Sequence, residues 1–120
     1  MVRCVLRAGP DAPREARQIA AGFESLDAEK AGDLQLVVSE LVTNAVKHGG
    51  LAPGAPIRMH LDREEDRLRL EVDDGEGLTA KPDWIPQSRD SAGRGLAIVS
   101  ALSERWEARG GRVIVWLAAT

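Results

Sequence analysis

The sequence predicts an α+β domain of two layers, a mixed but mostly antiparallel sheet of about five strands with three helices on one face. Three observations lead there. The elements follow the order β-α-α-β-β-loop-α-β-β, in which no strand-helix-strand repeat forces a parallel sheet. Two pairs of strand-like runs are joined by turn-forming residues, which reads as two hairpins. The longest helix carries a single apolar stripe and so needs one sheet face to cover it.

Taken in order, Val2, Cys4 and Leu6 alternate with Arg3, Val5 and Arg7 as a short first strand does. In Pro10-Asp11-Ala12-Pro13, Asp11 can cap a helix and Pro13 suits its first turn; Ala16, Ile19, Ala20 and Phe23 then recur at helical spacing to about Leu26. Asp27 or Asp33 can cap the next helix. Its stripe of Leu34, Val37, Val38, Leu41, Val42 and Ala45 ends at Gly49-Gly50. After the turn LAPGAP, Ile57 to Leu61 and Leu68 to Val72 form a hairpin around the charged DREED stretch. Residues 78–92 hold two prolines and no periodicity, so they are expected to be a loop. A helix is expected from about Arg94 to Leu102, and RWEARGGRVIVWLA makes a last hairpin around Gly110-Gly111.

Composition narrows the class of protein. A chain of 120 residues, 43% apolar and 29% charged, has the size and balance of one globular domain. A net charge of −3 and a pI near 5.4 supply no basic field for a phosphate backbone, so generic nucleic-acid binding has no electrostatic basis. Cys4 is the single cysteine, which excludes an intrachain disulfide and a cysteine-cluster metal site and fits a reducing compartment. The start, MVRCVLRAGP, has no apolar core of a signal peptide, and no run reaches the ~20 apolar residues of a membrane span. A cytoplasmic protein, complete as it stands, is the expectation.

Three clusters can carry chemistry. Glu40 and Asn44 are i and i+4 on the second helix, with Lys47 and His48 one turn further, on what reads as its less apolar side. A carboxylate and an amide oxygen side by side suit Mg²⁺, a hard ion that keeps waters and shares substrate phosphates, and the carboxylate can act as a base. The same residues also fit a plain solvated helix face, and His48 fits a helix C-terminus facing the dipole. Asp73-Asp74-Gly75-Glu76-Gly77 has the form D-x-G-x-G: the glycines let a planar ligand approach the backbone and a carboxylate can accept from an exocyclic amine, although an acidic turn reads the same way. The oxygen spacing of a calcium-binding EF-hand is missing. Gly93-Arg94-Gly95-Leu96 opens the third helix, where free N–H groups and the helix dipole favour phosphate, or where a turn is simply capped. No Walker P-loop element is present.

In this order, SELVTNAVKHGG, EVDDGEG and AGRGLAIV resemble the N, G1 and G2 boxes of the Bergerat-fold ATP-binding superfamily, which includes DNA gyrase and the histidine kinases. The resemblance implies that Asn44 ligates Mg²⁺, Glu40 is the catalytic base, and Asp73 receives the adenine amino group. Gly75 and Gly77 would let adenine lie against the backbone, Gly93 and Gly95 would face the phosphates, and residues 78–92 would form the ATP lid. Lys47, Arg94 and Leu96 would complete the nucleotide contacts. SELVTNAVKH and GRGLAIVSALSERW are most similar to stand-alone anti-sigma regulatory factors of the serine/threonine-kinase type. That likeness implies a homodimeric switch that holds a sigma factor and phosphorylates an anti-sigma-factor antagonist, with a nucleotide-gated binding module lacking kinase activity as the alternative. The chain departs from the family in a short connection at Arg109 to Arg112 and in having no threonine in RVIVWLA.

Overall fold

A computed structural model describes residues 1–48, 50–75 and 91–120, and of residues 48 and 91–96 the backbone alone. The elements are β1 (Val2–Arg7), α1 (Ala12–Ala21), α2 (Ala28–His48), β2 (Pro56–Glu64), β3 (Arg67–Asp73), α3 (Ser91–Leu102), β4 (Arg105–Arg109) and β5 (Arg112–Ala118). They form the expected α+β arrangement. The strands lie in the order β1-β2-β3-β5-β4, and each of the four pairings is antiparallel. The sheet of the described residues is therefore antiparallel in every pairing, as the expected mixed, mostly antiparallel sheet is in most of its pairings.

Register explains why the sheet has an inside. Met59 stands opposite Val72 and Leu61 opposite Leu70, while Leu68, Leu70 and Val72 face Leu117, Val115 and Val113 across the next pairing. All of these side chains are buried. Helix α2 lies against β3 and β5 and is flanked by α1 and α3, and its six stripe residues from Leu34 to Ala45 are all fully buried. The alternate sheet positions carry Arg58, Asp73 and Arg112 in one row, His60, Glu71 and Ile114 in the next, and Asp62, Arg69 and Trp116 beyond. No helix among the described residues is long and apolar enough to cross a membrane.

Local chemistry corrects several boundaries. Asp27, not Asp33, caps α2: its Oδ1 accepts the Lys30 N–H at 2.8 Å. Asp11 makes no capping bond to α1 and instead meets the Arg14 guanidinium at 3.3 Å. Helix α1 stops at Ala21, because Gly22 and Phe23 close it with bonds to Ile19 and Ala20 and Glu24 turns to φ 60°. Phe23 is nonetheless buried, so the apolar period that pointed to a helix reaching Leu26 is partly a turn residue dropped into the core. In the first hairpin, Asp62, Arg63 and Glu64 continue β2 and only Glu65 and Asp66 turn. The second hairpin turns at Gly110 and Gly111, with φ 57° and 83°, as a two-residue loop between paired Arg109 and Arg112 requires. Helix α3 begins at Ser91, ahead of Arg94, and takes in Gly93 and Gly95; a glycine costs a helix about 1 kcal/mol, too little to end one that is anchored by buried Val99. Residues 78–90 of the expected loop lie outside the described residues.

Candidate functional site

Helix α2 sets the first part of the site. Arg17 on α1 donates to Ser39 Oγ at 2.8 Å, tying the two helices together next to Glu40. Glu40 is half-buried and Lys47 is exposed, but Asn44 is only 2% exposed. Asn44 therefore does not lie on the less apolar side of the helix, as its sequence neighbours suggested. It interrupts the buried stripe between Leu41 and Ala45, because a helix covering a sheet buries an arc wide enough to include it.

The Asn44 amide nitrogen is buried and has no hydrogen-bond partner among the described residues. Leaving a buried donor unmet costs about 1–3 kcal/mol, and folded proteins keep very few such groups. A carboxamide can also turn over without changing its shape, so the open position serves as a donor to an anion or as an oxygen ligand to a cation. With the Glu40 carboxylate one turn earlier, α2 offers oxygen donors suited to Mg²⁺. No cluster of three or more His, Cys, Asp or Glu side chains that could hold a metal occurs among the described residues. A cation here would draw its remaining ligands from water and from a bound anion.

The end of β3 sets the second part. Asp73 continues the alternation of Arg67, Arg69 and Glu71 and so lies on the charged face of the sheet. Its carboxylate accepts the Gly75 N–H at 2.8 Å and faces Arg112 Nε at 3.6 Å. Asp74 follows the parity of Leu68, Leu70 and Val72, which turns its side chain toward the helices, and it is 7% exposed. Its backbone N–H donates to the Gly111 carbonyl at 3.1 Å, which fixes the strand end against β5. Gly75 has φ 85°, and an added Cβ would meet nothing within 4 Å among the described residues. Glycine is thus needed there for backbone conformation, and the space beside it stays open to a ligand.

The structure brings Asn44 and Asp74 to the inner side of the two layers and leaves Asp73 and Lys47 outside it. Asp74 is a buried carboxylate that motif reading did not single out. Extending the period-two burial of β3 by one step was the signal that could have found it. Gly93, Arg94, Gly95 and Leu96 occupy the first turns of α3, which packs beside α2. Gly77 lies outside the described residues.

Residues 6–119 match the model of a protein family described as the histidine kinase-like ATPase domain. No curated protein matches the chain.

Proposed function

The chain belongs to the histidine kinase-like ATPase domain family, and from that premise we propose that it is an ATP-binding anti-sigma regulatory factor with serine/threonine protein kinase activity. Its substrate would be ATP, its phosphate acceptor a serine of an anti-sigma-factor antagonist, and its second partner a sigma factor, with the protein acting as a cytoplasmic homodimer. The observation that carries the nucleotide part is the buried amide nitrogen of Asn44, which has no partner among the described residues.

In this reading Asp74, rather than the neighbouring Asp73 that the D-x-G-x-G motif designates, accepts the adenine amino group. The inward parity and burial of Asp74 support this, while Asp73 lies on the outer face of the sheet beside Arg112. Adenine lies along the open backbone at Gly75. The first turn of α3, up to Gly93, directs its free N–H groups and the positive end of the helix dipole to the phosphates, with Arg94 and Gly95 in the turn that follows. Asn44 would hold Mg²⁺, which neutralises charge on the transferring phosphoryl group. Glu40 takes the proton of the serine hydroxyl as its oxygen attacks the γ-phosphorus, and the bond to the ADP oxygen breaks.

Incubation with γ-labelled ATP and an antagonist protein tests this sequence of events. A positioned base contributes on the order of 10²–10⁴-fold. Glu40→Ala should therefore lose label transfer by about that factor while keeping ATP affinity within a small multiple of wild type. Transfer at the wild-type rate by the variant refutes the role of Glu40. Tight ATP binding by wild type with no transfer to any cognate partner identifies a nucleotide-gated binding module instead.

A further inference from the structure

The charged face of the sheet, remote from the Asn44 side, holds a depression of about 350 Å³ across β1, β2 and β3. Arg3, Arg58 and His60 line it together with Val5, and Cys4 and Met59 add to its wall. Glu71 also reaches it, but that carboxylate is already engaged by Arg69 at 3.1 Å and Arg112 at 3.7 Å.

The arginines of this face fall into two groups. Arg69 and Arg112 pair with carboxylates of the sheet, Arg67 meets Glu104 at 3.0 Å, and Arg105 meets Glu107 at 3.7 Å and covers the Trp116 ring. Among the described residues, Arg3, Arg7, Arg58 and Arg109 make no such pair, and His60 Nε2 is buried without a hydrogen-bond partner. In a chain of net charge −3, two of these four uncompensated arginines, Arg3 and Arg58, share one concave spot. Guanidinium groups match carboxylates through paired N–H donors. Val5 is 52% exposed beside them, and its burial rewards an apolar neighbour that a hydrated inorganic ion does not supply. The net negative charge disfavours a polyanion.

From this charge complementarity we propose that the depression docks an acidic peptide segment of a partner protein, in which a carboxylate side chain is flanked by apolar ones. The carboxylate meets Arg3 and Arg58, His60 Nε2 gains a partner, and an apolar side chain covers Val5. The site is independent of nucleotide binding on the other face.

An end-capped pentapeptide of alternating leucine and glutamate, titrated into ¹⁵N-labelled protein, tests the proposal by amide chemical shifts. Saturable shifts centred on residues 3–5, 58–60 and 71 are expected, with affinity at least tenfold weaker in Arg58→Gln and in Arg3→Gln. Both variants should keep wild-type spectra away from the depression. The same peptide with glutamine for glutamate should shift nothing there, and glutarate alone should shift nothing. Absent or scattered shifts, equal binding of the glutamine peptide, or unchanged affinity in both variants would overturn the proposal. Reproduction of the shifts by glutarate would overturn the peptide as occupant and leave a small-anion site.

Discussion

Asn44 and Asp74 are polar side chains buried in an otherwise apolar interior, and the two act at different ends of one ligand in the proposed reading. Replacing Asn44 by Ala removes an unmet buried donor along with a few packing contacts, so the two effects offset one another. The urea midpoint of Asn44→Ala should equal or exceed that of wild type; a loss above about 2 kcal/mol would show that the amide is held by the fold and not kept for a ligand. The aspartates separate by substitution. Asp74→Asn should weaken ATP and ADP alike and relax the preference for adenine, since an amide can turn a donor toward the amino group. Asp73→Asn breaks a partly exposed contact with Arg112, worth at most about 1 kcal/mol, and should leave ADP affinity unchanged. Isothermal titration with ADP and GDP checks both, and the opposite pattern returns the adenine contact to Asp73. Glu40 and Asn44 were legible as a pair from their i, i+4 spacing, but the burial of Asn44 was not, because spacing says which residues are neighbours and not how wide an arc the sheet covers. Asp73 and Asp74 sit one apart, and one residue along a strand is the difference between its two faces.

Elements with a chemical start and stop were the most legible. Asp27 with α2 and Gly110-Gly111 with the β4–β5 hairpin carry their own geometry: a cap accepts a particular N–H, and a two-residue hairpin loop asks for positive φ twice. Where an end depends on tertiary contact, the sequence misled. Phe23 extended an apparent helical period because the core, not the helix, takes its ring. The DREED stretch looked like a loop by its charge, yet Asp62 is an ordinary outward-facing strand residue once the sheet has a charged face, and Arg63 continues the strand opposite Leu68. The Gly110 turn provides a test at this scale. Gly110 has φ 57°, and a Cβ added there would meet no atom within 4 Å. Gly110→Ala should therefore cost about 1–2 kcal/mol through backbone conformation alone, and Gly110→Asn much less. Thermal melts of the two variants compare them; equal losses would point to a steric cause in place of a conformational one.

Across the molecule, the sheet has one face for folding and one for solvent. The apolar face, covered by α2, supplies the core and fixes Asn44 and Asp74 from opposite layers, while the charged face brings two cations unpaired among the described residues, Arg3 and Arg58, to one depression. Burial pushes the Cys4 thiol above its ordinary range, which disfavours the nucleophilic thiolate. The overall fold was readable because helix stripe, strand alternation and turn residues agree on a single arrangement. The site was readable in its residue types but less so in its directions, which depend on how two layers meet. The central claim is that the interlayer space binds ATP with Mg²⁺ through Asn44. Isothermal titration of wild type and Asn44→Ala with ATP, each with and without Mg²⁺, tests it most directly. Wild type should bind more tightly with Mg²⁺ than without, and Asn44→Ala should lose that gain while retaining much of the metal-free affinity; no ATP binding by wild type, or an unchanged Mg²⁺ gain in the variant, would contradict it.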